Sequence, residues 1–236
     1  MLFRSVTKRM DNVLKQDGVR NSNIISLASA ISSVHRTCKP IYSPFVLSEA
    51  RNLFNEIHGV EKFLIKNAGS EYGGIIAKSI QWSDTFLKHH QNRFQSRIDE
   101  GFKRDVHGDL HSGNIFLYRK PVIFDCIEFN ESFRQIDVLY EIAFLCMDLE
   151  AYNRGPLANK FLSEYNKKFN YFKVKEDVHI FNYFKCLRAN IRAKVHAMSA
   201  TQAENDMELQ FHLEEVKKYL DLMRAIFRSD KSLFTG

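Results

Sequence analysis

The chain has 236 residues, 44% hydrophobic and 26% charged, proportions of a soluble globular protein with one sizeable core that exclude wholesale disorder. Its 34 Lys and Arg against 28 Asp and Glu leave a formal charge of +6, a mild excess that favours anionic ligands. Ten Gly and four Pro are too few for a collagenous or repeat-rich all-β chain.

Cys38, Cys126, Cys146 and Cys186 lie far apart with no CxxC pair. That spacing disfavours a disulfide scaffold and a structural zinc site, and fits reduced thiols in a cytoplasmic setting. No apolar run approaches the ~20 residues needed to span a bilayer, so no membrane partner is expected. The first residues turn charged too early for a secretory signal.

In chain order, Asn21-Ser22 can cap a helix in which Ile24, Leu27, Ala28, Ile31 and Val34 recur at helical spacing, ending near Cys38-Lys39-Pro40. A second helix is predicted over 46 to about 67, with Leu53, Ile57, Val60 and Leu64 on one side. A third covers roughly 72–97, with Ile76, Ile80, Phe86 and Leu87 facing inward and Gly69 and Gly101 bracketing it. Between 105 and 129 the pattern turns to short β-rich runs, Ile115-Phe116-Leu117-Tyr118 and Val122-Ile123-Phe124, joined by Arg119-Lys120-Pro121 as a tight hairpin link. Helices resume over 137–150, 156–169, 175 to about 200, and 203–227, with Pro156 well placed at a helix start. The expected fold is mainly α with one small β-hairpin, as a single domain over 1–236.

The informative stretch is His107-Gly108-Asp109-Leu110-His111-Ser112-Gly113-Asn114, with Asp125 eleven residues beyond Asn114. The two hairpin strands are neighbours, so Asn114 and Asp125 can converge on one point beside Asp109. Two hard oxygen donors beside a third carboxylate make an Mg²⁺ site with a general base alongside. Asp and Asn also favour loops for their own sake, which is the plain alternative. His107 and His111 flank Asp109 as H-x-D-x-H, but Gly108 before a β-run argues against the helix that a zinc motif of that kind needs. Gly108 to Gly113 has P-loop spacing, yet Asn114 stands where Lys is obligatory.

The segments HGDLHSGN and IFD, and the wording of IFDCIEFNESFRQIDVLYEIAFLCMDLE and KCLRANIRAKV, resemble the aminoglycoside phosphotransferase and choline kinase-like superfamily, which shares the protein-kinase fold. The likeness is to a bacterial phosphotransferase-like subfamily and runs over roughly 8–220. The resemblance implies an ATP-dependent kinase, a transferase of phosphoryl groups to a small-molecule hydroxyl, with ATP and Mg²⁺ as cofactors. It assigns Asp109 as the catalytic Asp, Asn114 and Asp125 as metal ligands, and His107 as a brace of the loop backbone. Asp137 and Glu141 fall where a carboxylate ties down the catalytic loop, with Glu141 standing where the family carries Asp. Glu128 can assist the metal or meet a cationic substrate, or stand equally well as a solvated loop carboxylate, and His111 is read as a packing and hydrogen-bonding residue.

Lys185, Arg188 and Arg192 share one helix face, either a basic stripe for an anionic substrate or, as preferred here, a solvated face. The glycines never form GxGxxG and no β-rich sheet precedes residue 20, so the resemblance is to a C-terminal lobe whose nucleotide-covering N-terminal lobe is absent from this sequence. A separate N-lobe, or self-association, is the expected partner. The alternative is a non-catalytic, pseudokinase-like remnant that binds through an exposed apolar surface. No basic run interleaved with aromatics suggests nucleic acid.

Overall fold

A computed structural model describes residues 6–230. In chain order its elements are helices α1 (Met10–Lys15), α2 (Asn21–Thr37), α3 (Leu47–Asn55), α4 (His58–Asn67) and α5 (Ser70–Asp99), then strands β1 (Lys103–Asp105), β2 (Ile115–Phe116), β3 (Val122–Ile123) and β4 (Gln135–Asp137). Helices α6 (Val138–Ala151), α7 (Gly155–Lys168), α8 (Glu176–Thr201) and α9 (Asp206–Ser229) complete the described residues. The class is mainly α. The residues group into two compact units, one of 6–43 with 96–177 and one of 44–95 with 178–230, where the sequence suggested a single domain.

In the first unit α2 buries Ile24, Leu27, Ala28, Ile31 and His35. Val34 is 52% exposed, because ten residues after Ile24 lies about 80° off the stripe at ~100° per residue. The helix starts with Asn23 Oδ1 accepting the Arg20 N–H at 3.0 Å, so the capping acceptor is Asn23. At the other end Arg104 Nη1 donates to the carbonyls of His35 (2.9 Å) and Cys38 (2.8 Å), placing a cation where free carbonyls concentrate. Helix α2 packs on α7, and α7 on α6. Helix α6 is buried from Val138 to Leu149 at nearly every position, the signature of a central helix.

Two ribbons complete this unit. β2 and β3 form the expected hairpin, antiparallel with Ile115 opposite Ile123. The second ribbon, β1 with β4, was not predicted; it pairs Lys103 with Asp137 and Asp105 with Gln135. Its strands read KRD and QID, too short and too polar to carry a period-2 pattern.

In the second unit the helix predicted over 46–67 is two helices, α3 and α4. The fully buried Asn190 on α8 donates its Nδ2 to the Phe54 carbonyl at 3.1 Å. An uninterrupted helix would give that carbonyl to the His58 N–H, so the break is set from another element. Ile57, Val60 and Leu64 of the expected face are buried all the same, but Phe54 is buried in place of Leu53, which is half-buried. Helix α5 runs a turn longer than expected, from the residue after Gly69 to Asp99. Its buried Phe86 stacks on Tyr183 of α8 at 4.8 Å and 10°. Among the described residues no helix is long and apolar enough to cross a membrane.

Candidate active site

The site is built on the chain between β1 and β3. After β1 the ladder continues for one step, Val106 N–H to the Arg134 carbonyl at 3.0 Å, and then turns at Gly108 with φ +85°. A Cβ there would stand 2.7 Å from the Phe133 carbonyl oxygen, so both the angle and the space require glycine. The turn aims two N–H groups at one side chain. His107 N–H donates to Glu141 Oε1 and Gly108 N–H to Oε2, each at 3.0 Å, and Glu141 is fully buried.

Seven residues later on the same face of α6, Asp148 Oδ2 accepts the Ser112 N–H at 2.8 Å. Asp148 is 5% exposed. Two buried carboxylates on one central helix therefore fasten both ends of the loop. Charge-assisted bonds of this kind are the strong ones, and burial strengthens them further.

Inside the loop the bonds define tautomers. His107 Nδ1 accepts the Asp109 N–H at 3.2 Å, so its proton is on Nε2, which donates to the Phe124 carbonyl at 2.8 Å. Burial pushes the His107 imidazole below its ordinary range, in keeping with a neutral brace. His111 Nδ1 accepts the Gly113 N–H at 3.1 Å, which leaves Nε2–H facing Asp109 Oδ2 at 3.4 Å. Asn114 Nδ2 donates to the same Oδ2 at 2.9 Å and to the Asp109 carbonyl at 3.0 Å. Asp109 is thus oriented by two donors and its own backbone.

Because both amide hydrogens of Asn114 go to Asp109, its Oδ1 is the atom left to serve a cation. The Asn114 carbonyl accepts the Phe124 N–H at 3.1 Å, which places Asn114 across the hairpin from the residue before Asp125. Asp125 adopts φ +64°, a left-handed conformation uncommon outside glycine and concentrated at functional sites. Asp109, Asp125 and Glu128 line one open cleft of about 520 Å³, together with Phe129. Among the described residues no three His, Cys, Asp or Glu converge as a metal group. A cation here would rest on Asp125, Asn114 Oδ1 and oxygens of water or phosphate, the sparse hard set that Mg²⁺ accepts.

Asp137 does something different from what the resemblance implied. Its carboxylate takes Arg97 Nε at 2.7 Å and Nη2 at 2.9 Å, and its Oδ1 caps α6 by accepting the Leu139 N–H at 2.7 Å. Glu141 is the group that reaches the loop. Arg188 and Arg192 lie on α8 in the second unit. Arg188 is 7% exposed and so is not on a solvated face; Arg192 sits 5.5 Å over the Tyr219 ring and donates to His196 Nε2 at 3.2 Å. Sequence reasoning missed Asp148. The available signal was an acid seven residues after Glu141 in an otherwise apolar run.

No family model matches the chain. It is 32% identical over 133 residues to the uncharacterized protein Rv2004c of Mycobacterium tuberculosis strain H37Rv, and to the same degree to the uncharacterized protein Mb2027c of Mycobacterium bovis. The match takes in 56% of this chain and 26% of each relative, so the chain spans about a quarter of the length of the curated relatives it matches.

Proposed function

We propose that this chain carries the catalytic loop of an Mg-ATP-dependent phosphotransferase that acts on a hydroxyl of a small molecule. The reading takes the chain as the C-terminal lobe of a protein-kinase-like fold. The acceptor oxygen attacks the γ-phosphorus, the bond to the β–γ bridging oxygen breaks, ADP leaves, and the hydroxyl proton passes to Asp109. His111 and Asn114 orient that carboxylate. Asn114 Oδ1 and Asp125 hold Mg²⁺, which when bound neutralises charge on the phosphates. The covering lobe with its phosphate-binding Lys comes from residues outside this sequence or from another chain. Each charge-assisted contact that such a lobe supplies is worth ~1.5–3 kcal/mol, so this chain alone binds nucleotide weakly.

The observation that supports the reading most is the joint hold on Asp109: its Oδ2 receives Asn114 Nδ2 at 2.9 Å while Asp109 and Asp125 face the same cleft. Calorimetric titration of Mg-ATP into the full chain tests it. Asp125→Ala is expected to raise the dissociation constant about tenfold, the loss of one charge-assisted contact, while Asp109→Ala leaves binding intact. Equal binding by the wild type and Asp125→Ala overturns it.

One observation favours a binding module instead. Phe129 is 83% exposed and Phe133 50% exposed, edge to face at 6.1 Å, an apolar surface beside the cleft. That reading expects the Phe129→Ser variant to abolish self-association or partner capture without touching nucleotide affinity.

A further inference from the structure

A second cavity, of about 370 Å³, lies in the first unit and is not part of the cleft holding Asp109 and Asp125. Its apolar wall is Ile31, Val34, Val106, Leu110 and Ile123, and two thiols, Cys38 and Cys126, complete it. Cys126 also lines the Asp109 cleft, so one side chain is common to both spaces.

The charges around this cavity are already paired. Asp105 forms an ion pair with Arg134, Oδ2 to Nη2 at 3.4 Å and Oδ1 to Nε at 3.3 Å, although the Arg134 Nε makes no hydrogen bond among the described residues. Both oxygens of Glu141 and both ring nitrogens of His107 are used by the loop. His35 shares a 2.5 Å hydrogen bond with the Tyr165 hydroxyl and burial holds its imidazole at about 3, hence neutral. Burial pushes the Cys38 thiol up, so it stays protonated. A charged ligand would lose its hydration without finding a counter-charge. An apolar one would displace water that has few partners in such walls, which favours binding.

Size narrows the class. Apolar cavities of about 150 Å³ take a single benzene-sized ring, and this one is more than twice as large. We propose that the cavity is a second ligand site, for a small uncharged apolar molecule of one or two rings. Occupancy is then felt at the loop through His107, Glu141 and the shared Cys126, all of which line the wall.

The test uses the full chain carrying Cys126→Ser, with indole as the probe. Cys38 is then the one partly exposed thiol among the described cysteines, since Cys146 and Cys186 are fully buried. With indole at about ten times its dissociation constant, labelling of Cys38 by Ellman's reagent is expected to slow about tenfold. Indole-3-acetate, the same ring with a carboxylate, gives no such protection. Val34→Trp, a change at a half-exposed position that fills the mouth from within, removes the protection by indole, and Phe129→Ala at the other cleft leaves it intact. Absence of protection by indole, equal protection by indole-3-acetate, or protection that survives Val34→Trp each overturns the proposal. The readout does not depend on phosphoryl transfer, so it stands or falls apart from the reading of the Asp109 cleft.

Discussion

Two buried polar side chains, one in each unit, are accommodated in opposite ways. Glu141 is 0% exposed and both its oxygens accept backbone N–H groups of the loop. His90 on α5 is 4% exposed, and neither of its ring nitrogens has a hydrogen-bond partner among the described residues. For Glu141 the loop supplies donors in place of water. His90 sits 4.3 Å from the Phe86 ring and 6.2 Å from His179, and burial, with His89 and His179 nearby, lowers its imidazole to about 4. The first arrangement fixes the backbone of the loop that bears Asp109 and Asn114. The second only fills a ring-packed core, and tolerates its unmet nitrogens by remaining neutral.

The comparison makes the acid response the largest expected effect. His35 and His90 have folded-state values of about 3 and about 4, below the ~6.5 of an unfolded imidazole. Between those values the unfolded chain binds more protons than the folded one, so stability is full above about pH 6.5 and is lost as pH falls. Each such group contributes up to about 1.4 kcal/mol per pH unit. Urea unfolding across that range should show the midpoint falling steadily towards acid; a flat profile would mean that these rings are not neutral in the fold.

Next in size is Glu141→Gln. One of its two loop amides then faces an NH₂ group instead of an acceptor, and a loss of ~1–3 kcal/mol is expected. Amide exchange at His107 and Gly108 should accelerate in this variant, whereas uniform acceleration over the whole chain would argue against a local clamp. The smallest effect is His90→Leu. Removing two unmet nitrogens from an aromatic core should stabilise the chain by about 1 kcal/mol near neutrality, and the gain should widen towards acid. Destabilisation would show that the ring makes a bond not visible in its surroundings.

Much of this molecule is legible from residue spacing. α2 and α5 to α9 follow from apolar periodicity to within a few residues at most ends, and the hairpin from two β-rich runs around Pro121. What stays hidden depends on partners distant in sequence. The break between α3 and α4 hangs on Asn190, 136 positions after Phe54. The β1–β4 ribbon joins strands of three residues each, whose pairing has no local pattern to announce it. Within the candidate site, Asp109, Asn114 and Asp125 stand out as a motif, while Asp148 has no motif and gains its place only when α6 lies against the loop.

By itself the sequence determined a mainly helical chain with one polar, glycine-bearing loop ahead of a hairpin, because periodicity and turn chemistry act between near neighbours. Only the tertiary structure decided which buried carboxylates hold that loop, that Asp137 serves Arg97 and the start of α6, and that Cys38 and Cys126 face one cavity. Those outcomes depend on which groups, once removed from water, find a partner across the fold, and desolvation is settled by packing rather than by spacing along the chain.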